Sequence, residues 1–238
     1  MTTVASRVYK PSDFSEGLWH EVLVTLGKKG FSPEMAAEMA NTKSGKADQV
    51  VAFFRSVAAD PAAFFQKFYR DFCGLNVDFS TARVPEPKGD LTRILGISQG
   101  LTSNRMFEAC QNHFPCWRYT EDLNQATQGL NEREPTQSYF IRVRDRAEAD
   151  GSLKNLSAVQ IKDKGLTTET LLERLVHEGV YFYETGHHLD TENSTLCSGS
   201  RLQDGNVPRV YWHRDKFKVN WYFPQFTYGL LRARAVVS

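Results

Sequence analysis

A chain of 238 residues that is 41% hydrophobic and 12% aromatic can bury one large core or two small ones, which excludes an intrinsically disordered chain. Its 29 basic and 28 acidic residues nearly cancel, so no global field steers it toward nucleic acid or a membrane, and any hold on a polyanion has to be local. The start, MTTVASRVYKPSDF, lacks a secretory leader's apolar core, no apolar run approaches the ~18 residues of a membrane span, and the cysteines at 73, 110, 116 and 197 are irregularly spaced; the expectation is a cytoplasmic protein with reduced thiols and no membrane partner.

Taken in chain order, Ser12 can cap a helix in which Leu18, Trp19, Val22, Leu23 and Leu26 recur at the helical period and which stops near Gly27 and Gly30. Ser32-Pro33-Glu34 supplies an N-cap, a proline at the first helical position and an early acid, opening a second helix through Met35 and Met39. Val50, Val51, Phe54 and Val57 mark a third. Asp60-Pro61 opens a fourth, whose Phe64, Phe65, Phe68, Tyr69 and Phe72 make a broad apolar face ending before Gly74. These elements predict a helical bundle over residues 1–75 and a linker over 76–92, where Pro85, Pro87 and Gly89 interrupt any periodicity.

Residues 93–238 predict an α+β domain. Thr102 or Ser103 begins a helix that Pro115 ends, and 116–137 reads as a long connection. Tyr139, Ile141 and Val143 alternate with Arg142 and Arg144 as a strand, arginines outward. Leu171, Leu172, Leu175 and Val176 define a helix opened by Thr170 and Glu173 at capping-box spacing, or by Thr167 one turn earlier, and fading near Gly186. Thr195 to Leu202 then reads as a strand before the Asp204-Gly205 turn. Val207–Trp212 and Phe217–Phe223 form a hairpin around the four residues 213–216. Val210, Trp212, Phe217, Val219 and Trp221 face inward, and Arg209, Tyr211, Lys218, Asn220 and Tyr222 outward. The whole predicts an antiparallel β-meander packed with two helices.

Several groups of polar residues invite chemistry. His187, His188 and Asp190 offer either a ligand pair, or a general base with an orienting carboxylate, or a loop with one packed and one solvated histidine. Cys197, followed by Ser198, Gly199, Ser200 and Arg201, is either a nucleophile near an anion site or a small hydrophobe in a strand. Arg201 can clamp a carboxylate or phosphate, or pair with Asp204 or Asp190. The spacing of Cys110, His113 and Cys116 is not a standard zinc pattern. Asp145, Glu148 and Asp150 form an alternating charge run more in keeping with a solvated face than with a metal cluster. No metal and no cofactor are therefore expected.

Three segments carry a resemblance: NSTLCSGSRLQDGNVPRVYW at Asn193 to Trp212, YFIRVRDRAEADGSLKNLS at Tyr139 to Ser157, and LRARAVVS at Leu231 to Ser238. Together they resemble a family of bacterial proteins to which no activity is attached, so the resemblance implies neither substrate nor cofactor. GLWHEVLVTLGKKGFSPEMA resembles a small helical module placed before unrelated C-terminal domains, which implies docking or adapting rather than catalysis.

From Arg201 onward the cations outnumber Asp204 and Asp215, and Arg201, Arg209, Tyr211, Lys218 and Tyr222 mix charge with rings. Sheets stack bases and neutralise phosphates with such residues, and ordinary solvated strands carry them as well. The function expected from the sequence is a non-enzymatic binding or docking role, with a protein or RNA partner, nucleic acid lying on the basic aromatic face. The alternative is a hydrolase or nuclease built on His188, Asp190, Cys197 and Arg201.

Overall fold

The computed structural model describes residues 16–28, 30–41, 45–47, 49–50 and 60–238. The chain divides into two compact units, Met1–Phe54 and Arg55–Ser238. In the first, α1 (Glu16–Lys28) ends where Gly30, at φ +93°, turns the chain so that Phe31 N–H donates to Leu26 O and Gly30 N–H to Gly27 O. Helix α2 (Pro33–Ala40) starts with the Ser32 side chain accepting from Met35 N–H, as the cap-plus-proline signal predicts. Ser12 and the helix expected around Val51, Phe54 and Val57 lie outside the described residues.

The second unit begins earlier than the composition shift at 76–92 suggests. Helix α3 (Pro61–Cys73), capped by Asp60 and closed by Gly74 at φ +66°, belongs to its core, not to an N-terminal bundle. Phe65, Phe68, Tyr69 and Phe72 are buried there. The expected linker is not one either: Phe79 is buried and stacks on Tyr69 and Phe140, and Arg142 donates to Pro85 O at 2.6 Å. Prolines break periodicity without breaking contact, and the composition cannot tell the two apart.

Two sheets follow. Strand β1 (Leu91–Ile97) pairs antiparallel with β3 (Tyr139–Arg144), from Leu91 opposite Arg144 to Ile97 opposite Tyr139. Between them lie α4 (Ser103–Gln111), capped by Thr102, the three-residue β2 (Cys116–Arg118) and α5 (Leu123–Thr127). After β3 come α6 (Ala158–Asp163), α7 (Leu171–Thr185), β4 (Ser194–Leu196), β5 (Val207–His213), β6 (Lys216–Tyr222) and β7 (Leu231–Arg232).

The α+β class expected from the sequence holds, but the larger sheet is mixed, not a pure antiparallel meander. Its order is β2-β6-β5-β4-β7, with β4, β5 and β6 antiparallel in succession and the outer pairs β2/β6 and β4/β7 parallel. Both edge strands arrive from distant parts of the chain, so no local turn signal could mark them. The β5/β6 loop is also tighter than expected: His213 pairs with Lys216, leaving Arg214 and Asp215 at φ +49° and +57° in a two-residue turn.

Helix α7 positions everything else. The predicted capping box is present, Thr170 accepting from Glu173 N–H and Glu173 accepting from Thr170 N–H, and Gly186 ends the helix at φ +71°. The helix contacts β1 of one sheet and β5 of the other, so every residue from Leu171 to Val180 is buried. A helix covering one sheet face would bury a single stripe; between two sheets it buries its charged residues as well.

Candidate functional site

The charged residues of α7 decide the fate of the expected catalytic group. Asp190, fully buried and at φ +55°, accepts from Arg234 Nη2 at 2.7 Å, Arg174 Nη2 at 2.9 Å, Thr195 Oγ1 at 2.6 Å and Ala149 N–H at 2.9 Å. Burial by itself would raise its carboxyl, but the guanidiniums of Arg234 and Arg174 outweigh that and hold it below its ordinary value. Arg174 also donates to Glu178 at 3.0 Å, and His188 Nδ1 lies 2.9 Å from the other Glu178 oxygen. Two guanidiniums thus face two carboxylates in an interior that excludes water.

Next to them, burial pushes Glu169 up to about 8, so it keeps its proton at neutral pH and can donate to His177 Nδ1 at 2.7 Å. Burial also holds His177 well below its ordinary value, as a neutral imidazole. Oε2 of Glu169 and Nε2 of His177 have no hydrogen-bond partner.

The four candidates for hydrolytic chemistry therefore do not form one open site. His188 is clamped between Trp212, at 3.5 Å between ring centroids, and Phe182 at 5.1 Å. Asp190 serves the ion network, and the Cys197 thiol is fully buried and pushed well above its ordinary value by burial, the opposite of an activated nucleophile. Arg201 Nη1 donates to Ser198 O and Ser200 O, both at 2.8 Å, folding back on its own loop rather than pairing with Asp204 or Asp190.

The remaining groups are similarly dispersed. His113 Nε2 lies 3.1 Å from Phe72 O while Cys116 donates to Phe114 O, so the even spacing of Cys110, His113 and Cys116 does not converge. Asp145 takes Arg93, Asp150 takes Arg144, and Glu148 accepts from Thr191, Glu192 and Asn193 N–H. No cluster able to hold a metal occurs among the described residues.

A cleft of about 780 Å³ opens beside α4, α5 and the 128–136 loop. Polar groups in its wall are engaged: Arg133 grips both Glu173 oxygens at 2.7 Å, and Asp122 Oδ1 accepts from Gln125 N–H and Asn104 Nδ2. None of the site residues expected from the sequence lines it.

The outward face of the larger sheet is different. Residues directly opposite one another in neighbouring strands share a face, and the register sets Trp117 of β2 beside Lys218 of β6 and Lys218 beside Tyr211 of β5. Trp117 is 43% exposed, and Lys218 Nζ stands 6.0 Å from its ring centroid. His213 and Lys216 continue the row and Arg214 follows in the turn, all exposed, while Phe217 and Val219 on the opposite face are buried.

The expected face is corrected at its other end. Arg209, expected outward, is only 8% exposed: its guanidinium lies between the rings of Tyr211 at 3.9 Å and Tyr222 at 4.3 Å and donates to the Tyr222 and Tyr228 hydroxyls. Tyr222 is itself covered by Phe226. Arg201 takes no part in the face. Trp117 was missed because a three-residue strand carries almost no periodic signal; only the alternation Cys116-Trp117-Arg118-Tyr119 hinted at it.

No helix of the described residues is long and apolar enough to cross a membrane. Compared with protein-family models, with curated proteins and with solved structures, the chain matches none.

Proposed function

We propose that the chain is a non-enzymatic binding protein whose outward sheet face takes single-stranded nucleic acid. The observation that carries this is the row Trp117, Lys218, Tyr211, set in register across three strands. The exposed Trp117 ring and the half-buried Tyr211 ring give bases something to stack on whatever their identity, and Lys218, Lys216 and Arg214 lie where a phosphate backbone would run past them. Such a surface favours a flexible single strand over a duplex, whose bases are already stacked. The chain's near-neutral total charge limits the electrostatic pull to this patch, so affinity falls with salt at a slope of about −2 for three phosphates.

The test is fluorescence polarisation with a labelled 20-nucleotide oligouridylate across a salt series. Trp117→Ala is expected to weaken binding roughly 5-fold or more, the loss of one stacked base. Lys218→Glu should also flatten the salt dependence. Binding that ignores both substitutions would remove the sheet face from consideration.

A further inference from the structure

Beyond Lys218 the open row stops, although β6 runs on to Tyr222. Tyr222 lies four residues along β6 from Lys218, about 14 Å further on and on the same face. There it is met by the irregular segment 223–230: the Phe226 ring stacks on Tyr222 at 4.2 Å with 28° between planes, and Tyr228 meets it edge-on at 5.7 Å. A parallel ring at this separation has the geometry of a stacked base.

The segment is anchored at its two ends rather than at its middle. Tyr228 OH lies 3.0 Å from Ser194 Oγ and 3.4 Å from Arg209 Nη1, and Val159 N–H donates to Pro224 O at 3.2 Å. In between, Phe226 makes one local turn bond, to Phe223 O. Phe223 is 61% exposed, Leu230 54% and Phe226 38%, so little apolar burial holds the span down. Arg209 lies against the same Tyr222 ring, with its Nε buried and unpartnered.

We propose that residues 223–230 form a strap that keeps the far half of the binding face closed, Phe226 occupying on Tyr222 the place of a base. Displacement of Phe226 uncovers a face of the Tyr222 ring and lengthens the track beyond Trp117, Lys218 and Tyr211. The inference rests on the nucleic-acid reading above and adds to it a built-in competitor that raises the strand length and concentration needed for binding.

The experiment is a double-mutant cycle in the full chain, read with the same 20-nucleotide oligouridylate. Phe226→Ala is expected to tighten binding about 5-fold, the value of one freed stacking platform. Phe226→Leu, which keeps apolar volume and loses the ring, is expected to do the same, so a folding defect in the alanine variant does not decide the outcome. Tyr222→Ala should abolish the gain, so that each double variant binds no more tightly than Tyr222→Ala alone. Unchanged or weakened binding by both Phe226 variants, while Trp117→Ala still weakens it, overturns the strap and leaves the binding face standing. No binding by any form overturns the two together.

Discussion

Arg234 Nη2 donates to Oδ1 of Asp190 at 2.7 Å, with both side chains out of solvent. The same guanidinium reaches Arg146 O and Ala147 O, so one arginine ties the segment around β7, the turn after β3 and the approach to β4. The carboxylate is held from the other side by Arg174 of α7. The second unit is therefore closed by charge as well as by its apolar core.

Removing that charge is expected to be severe. Asp190→Asn leaves two buried guanidiniums facing one carboxylate fewer, a loss of about 3–5 kcal/mol. Urea unfolding followed by tryptophan fluorescence would show it as a lower midpoint. An asparagine variant as stable as the wild type would mean that the network contributes geometry only.

The Glu169–His177 pair makes stability depend on pH in a defined direction. An unfolded carboxyl loses its proton near its ordinary value of 4.5, whereas folded Glu169 keeps it up to about 8. Between those two values folded Glu169 keeps a proton that the unfolded carboxyl has lost, but folded His177 lacks the proton its unfolded ring holds below its ordinary value of 6.5, so the pair's stability falls as pH rises between about 6.5 and about 8 and levels off above that. Glu169→Gln keeps a donor toward His177 and cannot ionise. Its unfolding midpoint should match the wild type near pH 4.5 and exceed it at pH 8. Parallel pH profiles for the two proteins would contradict this.

Two glycines predict different tolerance. A Cβ on Gly199 would stand 2.7 Å from Thr168 O and 3.1 Å from Glu169 O, both main-chain atoms fixed by the same core. A Cβ on Gly179, in α7, would come closest to the Met106 methyl at 2.5 Å, the far end of a flexible side chain, with Phe72 Cε1 at 3.1 Å. Gly199→Ala is expected to cost roughly 1–3 kcal/mol. Gly179→Ala should cost less, because the helix gains about 1 kcal/mol of propensity against the crowding. Thermal unfolding of the pair decides the order.

Thiol labelling checks the fate of Cys197. Cys110 and Cys197 are fully buried and pushed well above the ordinary thiol value by burial, and Cys116, half-buried, is pushed up to about 12. Iodoacetamide at pH 7.5 should therefore modify the native protein slowly, with Cys116 ahead of Cys197, as read by peptide mass spectrometry. Rapid modification of Cys197 would revive its candidacy as a nucleophile.

Local signals along the chain account for much of what folded as expected. Ser32-Pro33, Asp60-Pro61, Thr102, the Thr170/Glu173 box and the alternation along Phe217, Lys218, Val219 and Asn220 each act within a few residues, through caps and side-chain periodicity, and each could be read without knowing the rest. The outward identity of Tyr211 and Lys218 came from that periodicity too. Tertiary structure alone decided that β2 and β7 join the sheet in parallel, that α7 runs between two sheets, and that Asp190 spends its charge on Arg174 and Arg234. It also set Trp117 beside Lys218 and shut Arg209 under tyrosines. The physical reason is range: a cap or an alternating strand is settled by neighbours in sequence, whereas burial of a charge and membership of a sheet edge depend on which distant segments reach the same place.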